Sequence, residues 1–106
     1  MTQNTVRIIL TSTVSEKDAQ ALAAAMIEVQ LAACVQISAA GTSIYRWEGS
    51  VQHGHEHFIS IKTTATACEA AVDWLKKHHP YETPEIIILQ GSASSSYLEW
   101  MRATTC

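Results

Sequence analysis

The chain has 106 residues, of which 47% are apolar and 16% are charged, and its formal net charge is −3. This composition excludes an intrinsically disordered chain and predicts one globular domain over residues 1–106, with a flexible lead at residues 1–5. The apolar content is high for a monomer of this length and indicates an oligomer. The seven Lys and Arg residues are scattered and fewer than the ten Asp and Glu residues, so we expect no nucleic-acid partner.

The N-terminus has no basic region followed by an apolar one, and no apolar stretch reaches the length of a membrane span. We therefore expect a cytoplasmic protein without a membrane partner. The three cysteines, Cys34, Cys68 and Cys106, are widely spaced and odd in number. This pattern predicts reduced thiols instead of a disulfide framework or a zinc site.

The first elements are a strand and an amphipathic helix. Residues 6–11 are rich in branched apolar side chains and too few for a helix, which predicts a central strand. Ser15 and Asp18 resemble a capping box, and apolar residues then recur at three- and four-residue steps. The predicted buried stripe of this helix comprises Ala19, Leu22, Ala23, Met26 and Ile27.

A long hairpin follows the first helix. Residues 32–47 are strand-like with an interruption at Gly41, which predicts one long strand with a bend or bulge near that glycine. A glycine-containing turn at residues 48–50 leads into the return strand at residues 51–63. Strands of this length overhang a small sheet, so we expect a neighbouring subunit to cover their edges.

The second helix begins at a capping box formed by Thr66 and Glu69 and ends near His78, because Pro80 disfavours helical geometry at the residue before it. Pro84 then starts the last strand, where no ladder donor is needed. The apolar stripe of this helix comprises Cys68, Ala71, Val72 and Leu75.

The last strand contains the uninterrupted apolar run at residues 86–89, which indicates either a strand covered on both faces or an edge closed by another subunit. A loop at residues 91–96, rich in serine, precedes a short C-terminal helix. The apolar face of that helix is mostly aromatic and is expected to contact a partner; its members are Tyr97, Leu98, Trp100 and Met101.

The order strand, helix, strand, strand, helix, strand is that of a split βαβ arrangement. The predicted fold is therefore α+β, a ferredoxin-like βαββαβ domain with a long β-hairpin and a short C-terminal helix. Right-handed crossovers place both long helices on one face of a four-stranded antiparallel sheet. The other face then requires cover.

His78 and His79 are candidate metal ligands, because imidazole binds copper, zinc and nickel well. Adjacent side chains on a helix point about 100° apart, since there are about 3.6 residues per turn, so both reach one ion only if Pro80 bends the backbone. The alternative is that they lie at a helix C-terminus, where the helix dipole favours positive charge.

His53, His55 and His57 are a second candidate metal site. Alternate residues of a strand share a face, and neighbours on that face lie about 7 Å apart, at about 3.3 Å of rise per residue. Two such imidazoles can share one ion. The alternative is a polar hairpin arm exposed to solvent.

The run HHPYETPE at residues 78–85 closely resembles the signature of the CutA family, the divalent-cation tolerance proteins. Further blocks of the chain resemble that family in the same order and at compatible spacing: residues 31–35, 43–49, 61–63 and 97–100. The resemblance implies a homotrimer whose sheets close around a threefold axis, with the long hairpin reaching across to a neighbour. It also implies a role in the response to metal ions, and to copper above all.

In the family, copper binding has been attributed to the two histidines matching His78 and His79 together with a cysteine at the end of the first strand. The matching position here is Thr11, and a hydroxyl is a poorer ligand for soft Cu(I) than a thiolate. The resemblance therefore implies weaker metal binding in this chain.

A further set of polar and aromatic residues coincides with the family blocks. We expect these residues to form either a salt-bridge network between subunits or an interface pocket for a small anionic or metal-bound ligand. The set comprises Tyr45, Trp47, Glu56, Lys62, Tyr81, Glu82 and Glu85.

The leading functional hypothesis is a cytoplasmic trimeric divalent-cation tolerance protein that binds copper or another divalent metal weakly. The alternative is a signalling or scaffold trimer resembling the nitrogen-regulatory PII proteins, with a small ligand or a partner protein at its subunit interfaces. We expect no enzyme and no obligatory cofactor, because no nucleophile stands beside a base and no glycine-rich phosphate loop is present.

Overall fold

The computed structural model describes residues 4–106 and contains the predicted elements in the predicted order. The first three residues of the predicted lead lie outside this range, whereas the Asn4 carbonyl accepts a hydrogen bond from Ala93 N–H and β1 begins at the next residue. The elements are β1 (Thr5–Thr13), α1 (Glu16–Glu28), β2 (Cys34–Trp47), β3 (Ser50–Thr64), α2 (Cys68–His78), β4 (Ile87–Ser92) and α3 (Ser95–Thr104).

The strands form one antiparallel sheet in the order β2-β3-β1-β4, which confirms the predicted ferredoxin-like α+β fold. Ile9 lies opposite Ile61 in the register, and both are fully buried under the two long helices. Met26 of α1 and Leu75 of α2 belong to the same apolar cluster. Both long helices therefore cover one face of the sheet, as predicted.

The other face of the sheet is covered only at one end. There Leu98 and Met101 of α3 pack with Val6 of β1 in a second, smaller cluster. Further along this face, large apolar side chains remain exposed in the single chain: Phe58 (43%), Ile87 (48%) and Leu89 (44%). We call these three residues and Ile8 and Leu10 beside them the open sheet face.

The start of α1 is confirmed, because the Ser15 side chain accepts a hydrogen bond from Asp18 N–H. Within the predicted stripe, Ile27 is 43% exposed, so the prediction was wrong at its last position. The Thr66 cap of α2 was also wrong: the helix begins one residue later, and the Thr64 hydroxyl accepts from Ala67 N–H. The end of α2 at His78 is confirmed.

β2 and β3 pair as far as Trp47 and Ser50 and are joined by a turn at Glu48 and Gly49. Both turn residues have positive φ, 49° and 82°, the conformation whose twist matches a two-residue hairpin. Beyond the last β1 pair, Thr13 with His57, the two strands pair only with each other. We call this overhanging part, residues 41–56, the hairpin arm.

One bulge interrupts the hairpin between Ile37 and Ala40, slightly before the predicted position. The Ser38 hydroxyl accepts from Phe58 N–H at 2.8 Å, and the Ser38 carbonyl lies 2.9 Å from His57 Nδ1. Gly41 has a separate role, because a β-carbon there would overlap the Phe58 ring. The glycine signal in the sequence therefore marked a close contact beside the bulge.

β4 is an edge strand that begins at Ile87, so the predicted start at Pro84 was wrong. Gly91 and Ser92 belong to β4, and the predicted serine-rich loop is reduced to residues 93–94. α3 is capped by Ser94.

The predicted apolar face of α3 divides into two parts in the single chain, and its contact with a partner stays a prediction. Leu98 and Met101 are buried, whereas Tyr97 and Trp100 are 38% and 45% exposed. In the part of the chain that the structure describes, no helix is long and apolar enough to cross a membrane.

Candidate functional site

The segment after α2 takes the place of a strand at the edge of β1. Pairing between β1 and β4 stops at Leu10 and Ile87. Near the end of β1, the Ser12 carbonyl lies 3.0 Å from His79 Nε2. Just after the strand, Val14 N–H donates to the Tyr81 hydroxyl at 2.6 Å. Side chains of the signature stretch thus bond the edge groups that a longer β4 would otherwise pair, which explains the late start of that strand.

His79 is buried, with both ring nitrogens engaged. Its Nδ1 accepts from Tyr81 N–H at 3.1 Å, so the hydrogen-bond network assigns the proton to Nε2, which donates to the Ser12 carbonyl. Burial lowers the pKa of His79, although the Ser12 carbonyl and the charges of Asp18 and Glu56 act in the opposite direction. The geometry and the pKa both favour a neutral imidazole.

His78 has a different environment from its neighbour. It is exposed, its ring stacks on Trp74 with centroids 4.1 Å apart, and its Nδ1 lies 2.8 Å from the Trp74 carbonyl. A carbonyl can only accept, so Nδ1 carries the proton and Nε2 keeps its lone pair free for solvent or a metal. The structure therefore does not bring His78 and His79 together as two ligands of one ion.

Glu56 joins β1, β3 and the signature stretch in one hydrogen-bond network. Its Oε2 accepts from the Ser12 hydroxyl at 2.8 Å and, at 3.5 Å, from the Tyr81 hydroxyl. The pKa of Tyr81 is raised, chiefly by burial, while the hydrogen bond from Val14 N–H lowers it and the Glu56 charge raises it. Tyr81 is therefore a neutral donor near pH 7, as the carboxylate requires.

This network lies in the wall of a cavity of about 800 Å³ between the hairpin arm and the signature stretch. Of the predicted interface set, the cavity brings together all but one residue: Tyr45, Trp47, Glu56, Tyr81, Glu82 and Glu85. Among the described residues that line it, the charged side chains are the carboxylates of Glu56, Glu82 and Glu85, with no Lys or Arg, and the aromatic ones are Tyr45, Trp47 and Tyr81. An acidic, aromatic cavity attracts a cation in preference to an anion.

Lys62 is the exception. It lies on β3 beside a separate depression of about 370 Å³, with Val6, Ile8 and Tyr97 also in the lining. Within the single chain it is not part of the Glu56 network, and its predicted interface role stays a prediction.

The three histidines of the hairpin differ among themselves. His53 and His55 are exposed, and the register places them opposite Ile44 and Thr42. His57 is only 9% exposed and bonds Ser38 at the bulge. Its surroundings therefore give it a structural role that the alternating pattern did not reveal.

Thr11 lies on the helix-covered face, opposite Ile59, and its buried hydroxyl has no hydrogen-bond partner. Among residues 4–106, no three His, Cys, Asp or Glu side chains are arranged to hold a metal ion together. Thr11, His78 and His79 therefore do not fit a three-ligand copper site within one chain. They fit at most a weak site with one free imidazole.

Sequence reasoning missed Ser12 and Val14, which line the cavity and bond the signature stretch. The Ser12 carbonyl bonds His79 and Val14 N–H bonds Tyr81, in both cases 67 residues away, so no local pattern could reveal them. The stacking of His78 on Trp74 could have been predicted from the sequence, because residues four apart on a helix are neighbours.

The fold and site define a class: a split βαβ domain with an overhanging hairpin, and with side chains of an HHPYETPE segment on the edge of its first strand. The model of the CutA1 family, described as divalent ion tolerance proteins, matches residues 7–104. The chain belongs to this family.

Sequence relatives and similar solved structures belong to the same family. The divalent-cation tolerance protein CutA of Salmonella newport is 38% identical over 92% of this chain and 85% of its own. CutA1 of Ehrlichia chaffeensis superposes with a TM-score of 0.93 at 28% identity, covering 98% of both chains. CutA of Synechococcus elongatus, complexed with a Bis-Tris molecule, has a TM-score of 0.86 at 37% identity, covering 96% of this chain and 95% of that one.

Proposed function

We propose that this CutA-family chain is a homotrimeric divalent-cation tolerance protein that binds copper or another divalent metal weakly and without catalysis. The observation that carries the proposal is the exposed His78 imidazole, whose Nε2 keeps a free lone pair at the end of α2. Imidazole nitrogen is a favourable ligand for Cu(II), Zn(II) and Ni(II). The cytoplasmic location expected from the sequence stays a prediction.

The proposed binding is weak for a physical reason. His79 joins as a ligand only if it gives up the hydrogen bond at one of its two ring nitrogens, and its ring is buried. Loss of that bond leaves the Ser12 carbonyl or the Tyr81 amide without its partner, which costs about 1–3 kcal/mol for a buried group. His78 therefore contributes more to the proposed site than His79.

The homotrimer is supported by the open sheet face and the hairpin arm. Exposed apolar side chains on one contiguous face of a sheet are typical of an interface between subunits. Residues Phe58, Ile87 and Leu89 are each more than two-fifths exposed in the single chain. A neighbouring copy that covers them also covers the edge strand β4.

Calorimetric titration of the metal-free protein with Cu(II), and then with Zn(II), tests the metal proposal. We expect saturable binding. The number of ions bound per chain should fall by one in a His78→Ala variant, whereas a His79→Gln variant should keep that number and bind more weakly. Light scattering must first show that each variant keeps the wild-type mass. Unchanged binding in the His78→Ala variant would contradict the proposal, because the remaining sites then account for all of the metal.

The cavity supports a second candidate function, the binding of a small organic cation. The carboxylates of Glu56, Glu82 and Glu85 and the rings of Tyr45 and Trp47 line it, which favours a protonated amine over the anionic ligand expected from the sequence. A CutA relative is complexed with Bis-Tris, itself an amine. The PII-like signalling role stays a prediction.

Titration with Bis-Tris tests this second candidate. We expect binding in the wild type that falls by roughly tenfold, or about 1.4 kcal/mol, in a Glu56→Gln variant, which keeps the shape and removes the charge. A Glu28→Gln variant removes a carboxylate from α1, outside the cavity lining, and serves as the control. Equal affinities of the two variants would exclude charge recognition in the cavity.

A further inference from the structure

The two faces of the hairpin arm carry different chemistry. Alternate residues of a strand point to opposite faces, so Gly54 and Glu56 lie on the cavity side of β3 while His53 and His55 lie on the other side. Neither imidazole lines the cavity, although Ile44, the cross-strand neighbour of His53, does. Both imidazoles are also remote in sequence from the signature stretch at residues 78–85.

His53 and His55 have the geometry of a two-imidazole chelate. Both are exposed, both belong to a regularly paired strand segment, and their backbone separation is about 7 Å, from two steps of about 3.3 Å. Their cross-strand neighbours, Ile44 and Thr42, carry no charge. Two rings on this spacing can turn toward each other and bind one ion between them.

His57 continues the same face but differs from the other two. Its Nδ1 lies 2.9 Å from the carbonyl of Ser38, a residue of the bulge, and its side chain is only 9% exposed. The exposed pair therefore consists of His53 and His55 alone. The one basic group on this face of the arm is Arg46, opposite Val51, and its guanidinium donates to the Gly49 carbonyl at the turn.

We propose that His53 and His55 form a transition-metal site on the outer face of the hairpin arm, distinct from any site at the signature stretch. Two neutral imidazoles and water suit the borderline ions Cu(II), Ni(II) and Zn(II), with Cu(II) bound most tightly in the usual order of affinity. The site does not depend on His78, on Thr11 or on the cavity. It gives this chain a metal-binding surface on a different element from its family signature.

The experiment measures Cu(II) binding at pH 7.5 by calorimetry and electron paramagnetic resonance, in full-length protein carrying His78→Ala so that the signature imidazole is absent. We expect one saturable Cu(II) site with two nitrogen ligands. Adding His53→Ala and His55→Ala should remove it. Adding only one of the two should weaken binding by roughly tenfold or more, because the second ligand acts at high effective concentration.

A position swap provides the matched control. In the variant Gln52→His/His53→Gln the number of imidazoles is unchanged, but one of them moves to the opposite face of β3. We expect this variant to lose the two-nitrogen signal while it keeps the mass and circular dichroism of the parent. A swap variant that binds as tightly as its parent would overturn the chelate.

The two metal proposals fail separately. If His78→Ala alone removes all Cu(II) binding, the arm site is refuted and the signature site stands. If one Cu(II) ion still binds in His78→Ala and is lost with the arm substitutions, the arm site is supported. The signature site is then refuted if the wild type binds no more Cu(II) than His78→Ala. Absence of saturable binding in the wild type refutes both.

Discussion

The imidazole of His79 has a structural role, because both of its ring nitrogens make hydrogen bonds within the chain. It accepts from Tyr81 N–H and donates to the Ser12 carbonyl, a pair of bonds that only the neutral ring can make. Protonation of Nδ1 would set two donors against each other. The same ring therefore connects the end of α2 to β1 and disfavours positive charge at this point.

A pH dependence of stability follows. Burial lowers the folded-state pKa of His79 below the value of about 6.5 typical of an unfolded chain. The unfolded state then binds more protons, so the free energy of unfolding is highest above pH 6.5 and falls as the pH drops toward the folded pKa. Urea unfolding at pH 7.5, 6.5 and 5.5 measures this slope.

His79→Gln should flatten that slope while lowering stability at pH 7.5, because it removes the titrating ring together with one of its hydrogen bonds. His55→Gln replaces an exposed imidazole on the hairpin arm and is the control. A slope as steep in His79→Gln as in the wild type would assign the acid sensitivity to another group.

The hydroxyl of Thr11 is buried without a partner and should be a local weakness. Thr11→Val replaces the hydroxyl by a methyl group of similar size, so we expect a gain of about 1 kcal/mol in the free energy of unfolding. Thr11→Ser keeps the orphaned hydroxyl and removes a methyl group, so we expect a loss of about 1 kcal/mol. Guanidinium unfolding of the three proteins measures these differences, and a loss of stability in Thr11→Val would contradict the prediction.

At the scale of the elements, the hairpin turn contains a residue poorly suited to its conformation. Glu48 has a φ of 49°, which costs a side chain with a β-carbon about 1 kcal/mol unless it is Asn or Asp. Glu48→Asn should raise stability by up to that amount, and Gly49→Ala, at a φ of 82°, should lower it. Hydrogen exchange of the arm amides is the measurement, and equal protection in the two variants would contradict the strain argument.

The helices and the hairpin were predictable because local periodicity and turn residues determine them. Ser15, Gly49 and the stop near His78 carry such signals, and each prediction is confirmed. The start of β4 was not predictable, because it depends on His79 and Tyr81 bonding an edge more than sixty residues earlier in the chain. The Thr66 cap failed for the same kind of reason, since the end of β3 supplies Thr64 to the turn instead.

The candidate site was predicted through the resemblance more than through local chemistry. Glu56 and Tyr81 share one cavity, yet they lie 25 residues apart and no periodic pattern connects them. The histidine pair shows the opposite case. Its two members are adjacent in sequence but differ in burial, because Pro80 redirects the chain after His78 and His79 adopts an extended conformation.

At the scale of the whole molecule, the open sheet face makes the trimer testable. Leu89→Asp introduces a charge at a residue that is 44% exposed in the single chain and that we expect to be buried between subunits. We expect light scattering to show a shift from trimer to monomer at micromolar concentration. Ile27→Asp changes a residue of nearly equal exposure, 43%, on the helical layer and should keep the trimer. Two variants with the same mass would contradict this assignment of the interface.

The bulge in β2 has a consequence for how this protein can vary. Ile37 pairs with Ile59 and Ala40 pairs with His57, so β2 moves on by three residues between these two pairs while β3 moves on by only two. Odd-numbered residues of β2 face the helices before this point and the cavity after it, so Tyr45 and Trp47 reach the cavity because of one extra residue. Deleting Ala39 would exchange the two faces of the β2 strand in the arm and bring Thr42 and Arg46, which do not line the cavity, to the cavity side. The number of residues in the bulge therefore decides which face each later residue of β2 occupies. A single insertion or deletion there can change what the cavity recognises without changing any side chain beyond it.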